Sequence, residues 1–260
     1  MWLVIALFYL AGGDGDVAIA QDVPLPRSRP PMLTQPQSFR EAAGPYFESA
    51  DVTSAPTDCD GRLEKIATFA LMPRLIGPGA CGGSDMVRLD AVVIADGTRV
   101  DLKPAPVLRC PFAESVAVWL LDEVAPRIDK FGSALKTVEI YDDFECRERN
   151  RIIGAKVSEH GKGNAVDLRA LMLADGRALG LTDVTVAKDF REDLRDSACH
   201  RFTTVLGPGS DSYHEAHIHL DLIERRRGLR VCQWDVREVS KTDVAARIPL
   251  PMPRPAIPSP

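Results

Sequence analysis

No run of apolar residues in this sequence approaches the roughly 20 that a bilayer crossing needs, so no integral membrane span is expected. There is no excess of basic residues either. The 32 Lys and Arg against 37 Asp and Glu leave a net charge of −5, which gives no pull toward nucleic acid. None of the six cysteines stands in a C-x-x-C pair, which argues against zinc-ribbon or thioredoxin chemistry. The glycine-rich stretch Gly77 to Gly83 lacks the lysine and spacing of a phosphate loop and reads as a turn beside Cys81. No internal repeat is found.

What is present points to one exported domain. With 45% hydrophobic residues in 260, the chain can bury a good core. An apolar run from Trp2 to Ala11, then Ala18-Ile19-Ala20 before Gln21, reads as a signal peptide over 1–20, although no Lys or Arg precedes the run. Cys59, Cys81, Cys110, Cys146, Cys199 and Cys232 are even in number and widely spaced. They suit structural disulfides in an oxidising compartment, periplasmic or secreted, and sequence does not choose among the pairings. Five prolines fall between Pro24 and Pro36 and six between Pro249 and Pro260. They mark a Pro-rich linker at 21–45 and a Pro-rich tail at 246–260, leaving 46–245 as the folded unit.

Within that unit the periodicities mix. Val87, Leu89, Ala91 and Val93 alternate, and Asp96-Gly97 turns the chain toward Arg99-Val100, which predicts a hairpin. From Pro111 to Phe131, Phe112, Val116, Trp119, Leu120, Val124 and Ile128 keep helical spacing, with Glu114 in the first turn and Pro126 as a kink or stop. Strands are predicted over 137–142, 164–171, 203–206 and 217–224, with a turn at Asp175-Gly176 and a helix over 188–199. The fold class expected is α+β: a single domain, disulfide-braced, with a central mostly antiparallel sheet flanked by helices.

The chain has only five histidines, and four of them sit in two compact motifs. His160 precedes glycines that let the backbone fold back, and Asp167 follows on the next strand with Val166 and Leu168 facing the other way. In the segment from His214 to Leu222, Ile218, Leu220 and Leu222 make an apolar face, while His217, His219 and Asp221 share the opposite one. Imidazoles and carboxylates so placed suit a metal and proton transfer. His214-Glu215-Ala216-His217 is one residue short of H-E-x-x-H, so it is not a zincin helix. His200, beside Cys199, reads as structural. Arg225 to Arg227 reads as a solvated turn before it reads as a polymer site.

The segments Ser158 to Leu168 and His214 to Leu222 resemble the extensin-like C-terminal family of bacterial envelope proteins. That family is similar in turn to the LAS metallopeptidases, which include murein endopeptidases and D-Ala-D-Ala peptidases. The resemblance implies a LAS-like fold and zinc held by His160, Asp167 and His219. It also implies His217 as general base or oxyanion partner, with His214 assisting. Ala216 stands where the dipeptidase branch carries a glutamate base. Arg147 best matches the arginine that precedes the His/Asp motif in many of these enzymes. The implied substrate is the peptide cross-link of peptidoglycan, in D,D or L,D form. The other reading is a non-catalytic, zinc-containing wall-binding scaffold or regulator.

Overall fold

A computed structural model describes residues 57–238, apart from 78 and 95. The expected signal peptide, linker and Pro-rich tail lie outside the described residues. Helix α1 (Asp58–Leu63) opens the domain, capped by a reciprocal pair in which Thr57 and Asp60 satisfy each other's backbone N–H. There follow β1 (Ala67–Leu71), the small hairpin of β2 (Leu75–Ile76) and β3 (Gly82–Gly83), then β4 (Met86–Val93), β5 (Arg99–Lys103) and β6 (Val107–Arg109). Helix α2 (Cys110–Trp119) leads through a π turn at Leu120–Val124 into α3 (Ala125–Ile128). The rest is β7 (Leu135–Asp142), β8 (Ala165–Leu173), β9 (Ala178–Gly180), α4 (Lys188–Arg201), β10 (Thr204–Leu206), β11 (Ile218–Asp221) and β12 (Val231–Gln233).

The main sheet runs β1-β4-β5-β7-β8-β11-β10-β12, with β6 on β4 and β9 on β8. It is mostly antiparallel; β5 with β7 and β10 with β12 are the parallel pairs. The α+β expectation therefore holds. Inward residues of the central strands, among them Val138, Val166, Leu168, Ile218 and Leu220, form one apolar cluster with Phe112, Val116, Leu194 and Ala198 of α2 and α4. Trp119 and Phe202 meet edge to face at 5.7 Å, and Trp119 Nε1–H donates to Ser197 Oγ across the two helices. Each fully buried side chain of this kind contributes about 1.5–3 kcal/mol of transfer free energy.

Three local departures from the sequence reading have physical causes. Pro126 does not end the helix, which continues to Ile128. It has no N–H to give, and the helix widens one turn earlier, where Ala125 N–H reaches Leu120 C=O. Glu114 falls beyond the first turn because the helix begins at Cys110, and it pairs instead with Arg62 of α1. The last predicted strand is short, since Leu222 onward leaves the ladder and Arg225 turns back to the Thr203 carbonyl and the Thr204 hydroxyl. The disulfides are Cys59–Cys110, Cys81–Cys146 and Cys199–Cys232.

Candidate metal centre

The face of β8 and β11 turned away from the helices carries the polar cluster. These strands are antiparallel neighbours in a register that sets Asp167 directly opposite His219. His160 reaches the same point from a single 3-10 turn, His160–Lys162, which ends at Gly163 in the left-handed region (φ 65°). Glycine is required there: a Cβ would lie 2.6 Å from Met86 Cε and 3.1 Å from the Arg109 backbone nitrogen. Buried Glu159 closes the turn by accepting from Lys162 Nζ at 2.6 Å and Asn164 Nδ2 at 2.7 Å.

His160, Asp167 and His219 are all buried, at 2%, 3% and 7% exposure, and their ligand atoms converge. His160 Nε2 lies 3.1 Å from His219 Nδ1, and Asp167 Oδ1 lies 2.8 Å from His219 Nδ1 and 3.3 Å from His160 Nε2. Hydrogen bonds behind the rings fix what those atoms are. His160 Nδ1–H donates to the Asp143 carbonyl at 2.7 Å, and His219 Nε2–H donates to Asp221 Oδ2 at 3.1 Å. With both rings neutral, three lone-pair atoms would face one another with no proton among them. A shared cation or an extra proton has to stand there. Three donors about 2.0–2.1 Å from a tetrahedral ion are about 3.3 Å apart, close to the spacing seen. The donor set fits zinc, and each imidazole is backed by an oxygen acceptor as metal-bound histidines are.

Two further histidines flank the cluster. His217 is buried, with Nε2 3.1 Å from Asp167 Oδ2 and its ring stacked on Tyr141 (4.4 Å between centroids, 13° between planes). If Nε2–H faces the carboxylate, Nδ1 is a bare lone pair, and that atom is buried without a hydrogen-bond partner among the described residues. His214 stands edge-on to His217 and His219. Asp211 Oδ1 holds its Nδ1 at 2.7 Å and also accepts the backbone N–H of Tyr213 and His214. The loop that delivers His214 is fastened by Gly209 N–H to Glu215, Glu215 to Arg237, and Asp235 N–H to the Pro208 carbonyl.

Sequence reasoning missed Asp143, Asp211, Glu159, Tyr141 and the supporting role of Asp221. Of these, only Asp221 and Glu159 stood in the motifs already singled out. Arg147 lies outside the cluster's hydrogen bonds: its guanidinium is held by Glu145 at 2.8 Å and by Asp142 at 3.1 Å. Tyr213 is exposed.

Charge is concentrated at the centre. Burial opposes ionisation of Asp167, but the His160 charge and hydrogen bonds from three histidines outweigh it and hold the carboxyl well below the usual range. Burial also opposes charge on His219, yet Asp167 and Asp221 raise its imidazole from 6.5 to about 9. Burial lowers His214, against the pull of Asp211. In the metal-free protein, the raised His219 pKa favours folding below 6.5, and that contribution is lost as pH rises through about 9. A divalent ion bound to His219 Nδ1 would have to displace this proton. If zinc binds there, it should release one proton from His219 below pH 9, with apparent affinity rising about tenfold per pH unit up to that value. Chelator competition between pH 6.5 and 9.5 checks the slope; a flat profile contradicts it.

Taken together, these features define a class: an α+β domain, disulfide-braced, with a buried His/Asp cluster of metal-ligand type on one sheet face. The family model described as extensin-like protein C-terminus matches residues 57–233, and the chain belongs to that family. No curated protein and no solved structure matches it. No described helix is long and apolar enough to cross a membrane.

Proposed function

We propose that this protein is a zinc-dependent peptidase of the bacterial cell envelope that hydrolyses peptide cross-links of peptidoglycan, D,D or L,D. The observation that carries the reading is the convergence of His160 Nε2, Asp167 Oδ1 and His219 Nδ1 on one point, where a cation or an extra proton has to stand. These three are the ligands that the sequence resemblance implies, and three disulfides suit export to an oxidising compartment.

His160, Asp167 and His219 would hold the zinc, which when bound would supply Lewis acidity toward a carbonyl and a water. The protein's own part is proton management. His217 offers the Nδ1 lone pair to take a proton from the attacking water and return it to the departing amine. Asp167 fixes the tautomer of His217, and Tyr141 fixes the plane of its ring. His214, with Nδ1–H committed to Asp211, presents an acceptor at Nε2. It can relay a proton but donates to an oxyanion only once protonated.

Purified protein of measured metal content, incubated with isolated murein sacculi beside His217→Ala, tests this. New muropeptides from the zinc-loaded protein, reduced about 100-fold or more in the variant, are the expected result. Zinc near one equivalent with no product would favour the wall-binding scaffold instead. Failure to bind any metal would sink both readings.

A further inference from the structure

Strands β7 and β8 are out of step beside the cluster. Ile140 pairs with Leu168 and Asp142 with Asp167, which leaves Tyr141 as an extra residue in β7. Glu139 pairs with Ala170, which leaves Arg169 extra in β8. Bulges of this kind re-aim side chains next to sites. Here they bring two unforeseen groups into line with His217. The His217 ring lies against Tyr141 at 4.4 Å, and Arg169 Cζ lies over the same Tyr141 ring at 4.6 Å. Tyr141 is thus in contact with both His217 and Arg169.

The two groups that contact Tyr141 differ in what they are free to do. His217 is buried, whereas the Arg169 side chain is 47% exposed. Its one ionic partner among the described residues is Glu139, at a loose 3.5 Å. A guanidinium with no close ionic partner keeps its N–H donors open, and its fork of donors grips a carboxylate with two parallel bonds. By contrast, Arg147 is 17% exposed and already held by two carboxylates. The arginine available to a ligand is Arg169.

We infer that Arg169, seated on Tyr141, is the specificity-determining residue for a substrate carboxylate near the scissile amide. An extended peptide advances about 3.3–3.6 Å per residue. The separations of 4.4 Å from His217 to Tyr141 and 4.6 Å from Tyr141 to Arg169 Cζ together bound the reach from His217 to Arg169, and so place that carboxylate within about three residues of the bond. Either a C-terminal carboxylate or an acidic side chain supplies the same chemistry.

This inference rests on the hydrolase reading for its biological substrate, but binding tests it separately. The probes are an N-acetylated pentapeptide ending in D-alanyl-D-alanine with a D-glutamate inside it, its C-terminal amide, and its D-glutamine counterpart. Calorimetric titration of the full chain with all three, in wild type, Arg169→Gln and Arg169→Lys, gives the result. One of the two neutralised peptides is expected to bind wild type about 10- to 100-fold more weakly than the parent, and which one identifies the carboxylate. Arg169→Gln should erase that preference without weakening the neutralised peptide, and Arg169→Lys should restore part of it. No preference in wild type, no measurable binding, or a preference that survives Arg169→Gln overturns the inference. A preference that behaves as stated, with no cleavage of any probe or of sacculi, leaves the subsite standing and removes the hydrolase reading.

Discussion

Asp167→Asn should lower zinc affinity by roughly 1000-fold or more and bring peptide hydrolysis to background, while far-UV circular dichroism stays unchanged. Loss of a hydrogen-bond partner behind a metal ligand costs about 10–100-fold, and Asp167 is itself in the donor set. It is also the one anion in that set, and its two oxygens serve different partners: Oδ1 faces His160 and His219, Oδ2 faces His217. An amide there keeps the volume, removes the charge and presents an N–H₂ to at least one imidazole nitrogen that now meets an acceptor. The same change should act on the metal-free protein in a way that a ligand defect alone does not explain. Burial opposes the charge on His219, and Asp167 and Asp221 together overcome it. With Asp221 alone remaining, the His219 pKa is expected to fall from about 9 toward or below the ordinary 6.5, read by NMR titration of its ring protons. Because His219 can then shed its proton, the stability cost stays under the ~3–5 kcal/mol of a buried charge left unpaired. A His219 pKa that stays near 9 in the variant would show that the carboxylate is not what holds the charge.

How much of this centre the sequence revealed depended on whether each contribution was periodic. Asp167 and His219 were readable because Val166 and Leu168, and Ile218 and Leu220, alternate with them, and alternation reports the face of a strand. Their neighbouring strands then place them opposite each other. Tyr141 and Arg169 were not readable for the same reason turned round. A bulge is an interruption of alternation, and whether an extra residue is tolerated depends on the partner strand, which is far away in sequence. Asp143 contributes its carbonyl oxygen to His160, so no side-chain pattern marks it for this role. Asp211 lies in a loop, where no periodicity marks its carboxylate as the partner of His214. The arginine assignment depended on a motif rather than on geometry. The sequence places Arg147 upstream as expected, but only the structure shows Asp142 and Glu145 taking up its guanidinium. Pairings of distant segments, including the three disulfides and the parallel union of β10 with β12, carry no local signature at all.

Removing the Cys81–Cys146 bridge as a paired alanine variant should cost about 4 kcal/mol of folding stability, by the chain-entropy account for a loop of this length. A midpoint drop of about 8–16 °C follows for a domain of this size. Removing Cys59–Cys110 should cost nearly the same, because the two separations, 65 and 51 residues, enter only through a logarithm. The two variants should differ at the metal. Cys59–Cys110 ties α1 to the start of α2 on the helical side of the sheet. Cys81–Cys146 packs behind the turn that carries His160: a Cβ at Gly161 would lie 3.3 Å from Cys81 Sγ and 3.3 Å from the Glu145 carbonyl. It also anchors the segment after β7, whose Asp143 carbonyl orients the His160 ring. Freed of the bridge, that segment loosens its hold on the imidazole, and zinc affinity should fall about 10-fold, as it does when an outer partner of a ligand is lost. The Cys59–Cys110 variant, equally destabilised but still folded at 25 °C, should keep its affinity. Chelator competition on both proteins at that temperature decides the matter. An equal loss in the two would mean that the domain as a whole, and not the bridge behind Gly161, sets the geometry of the centre.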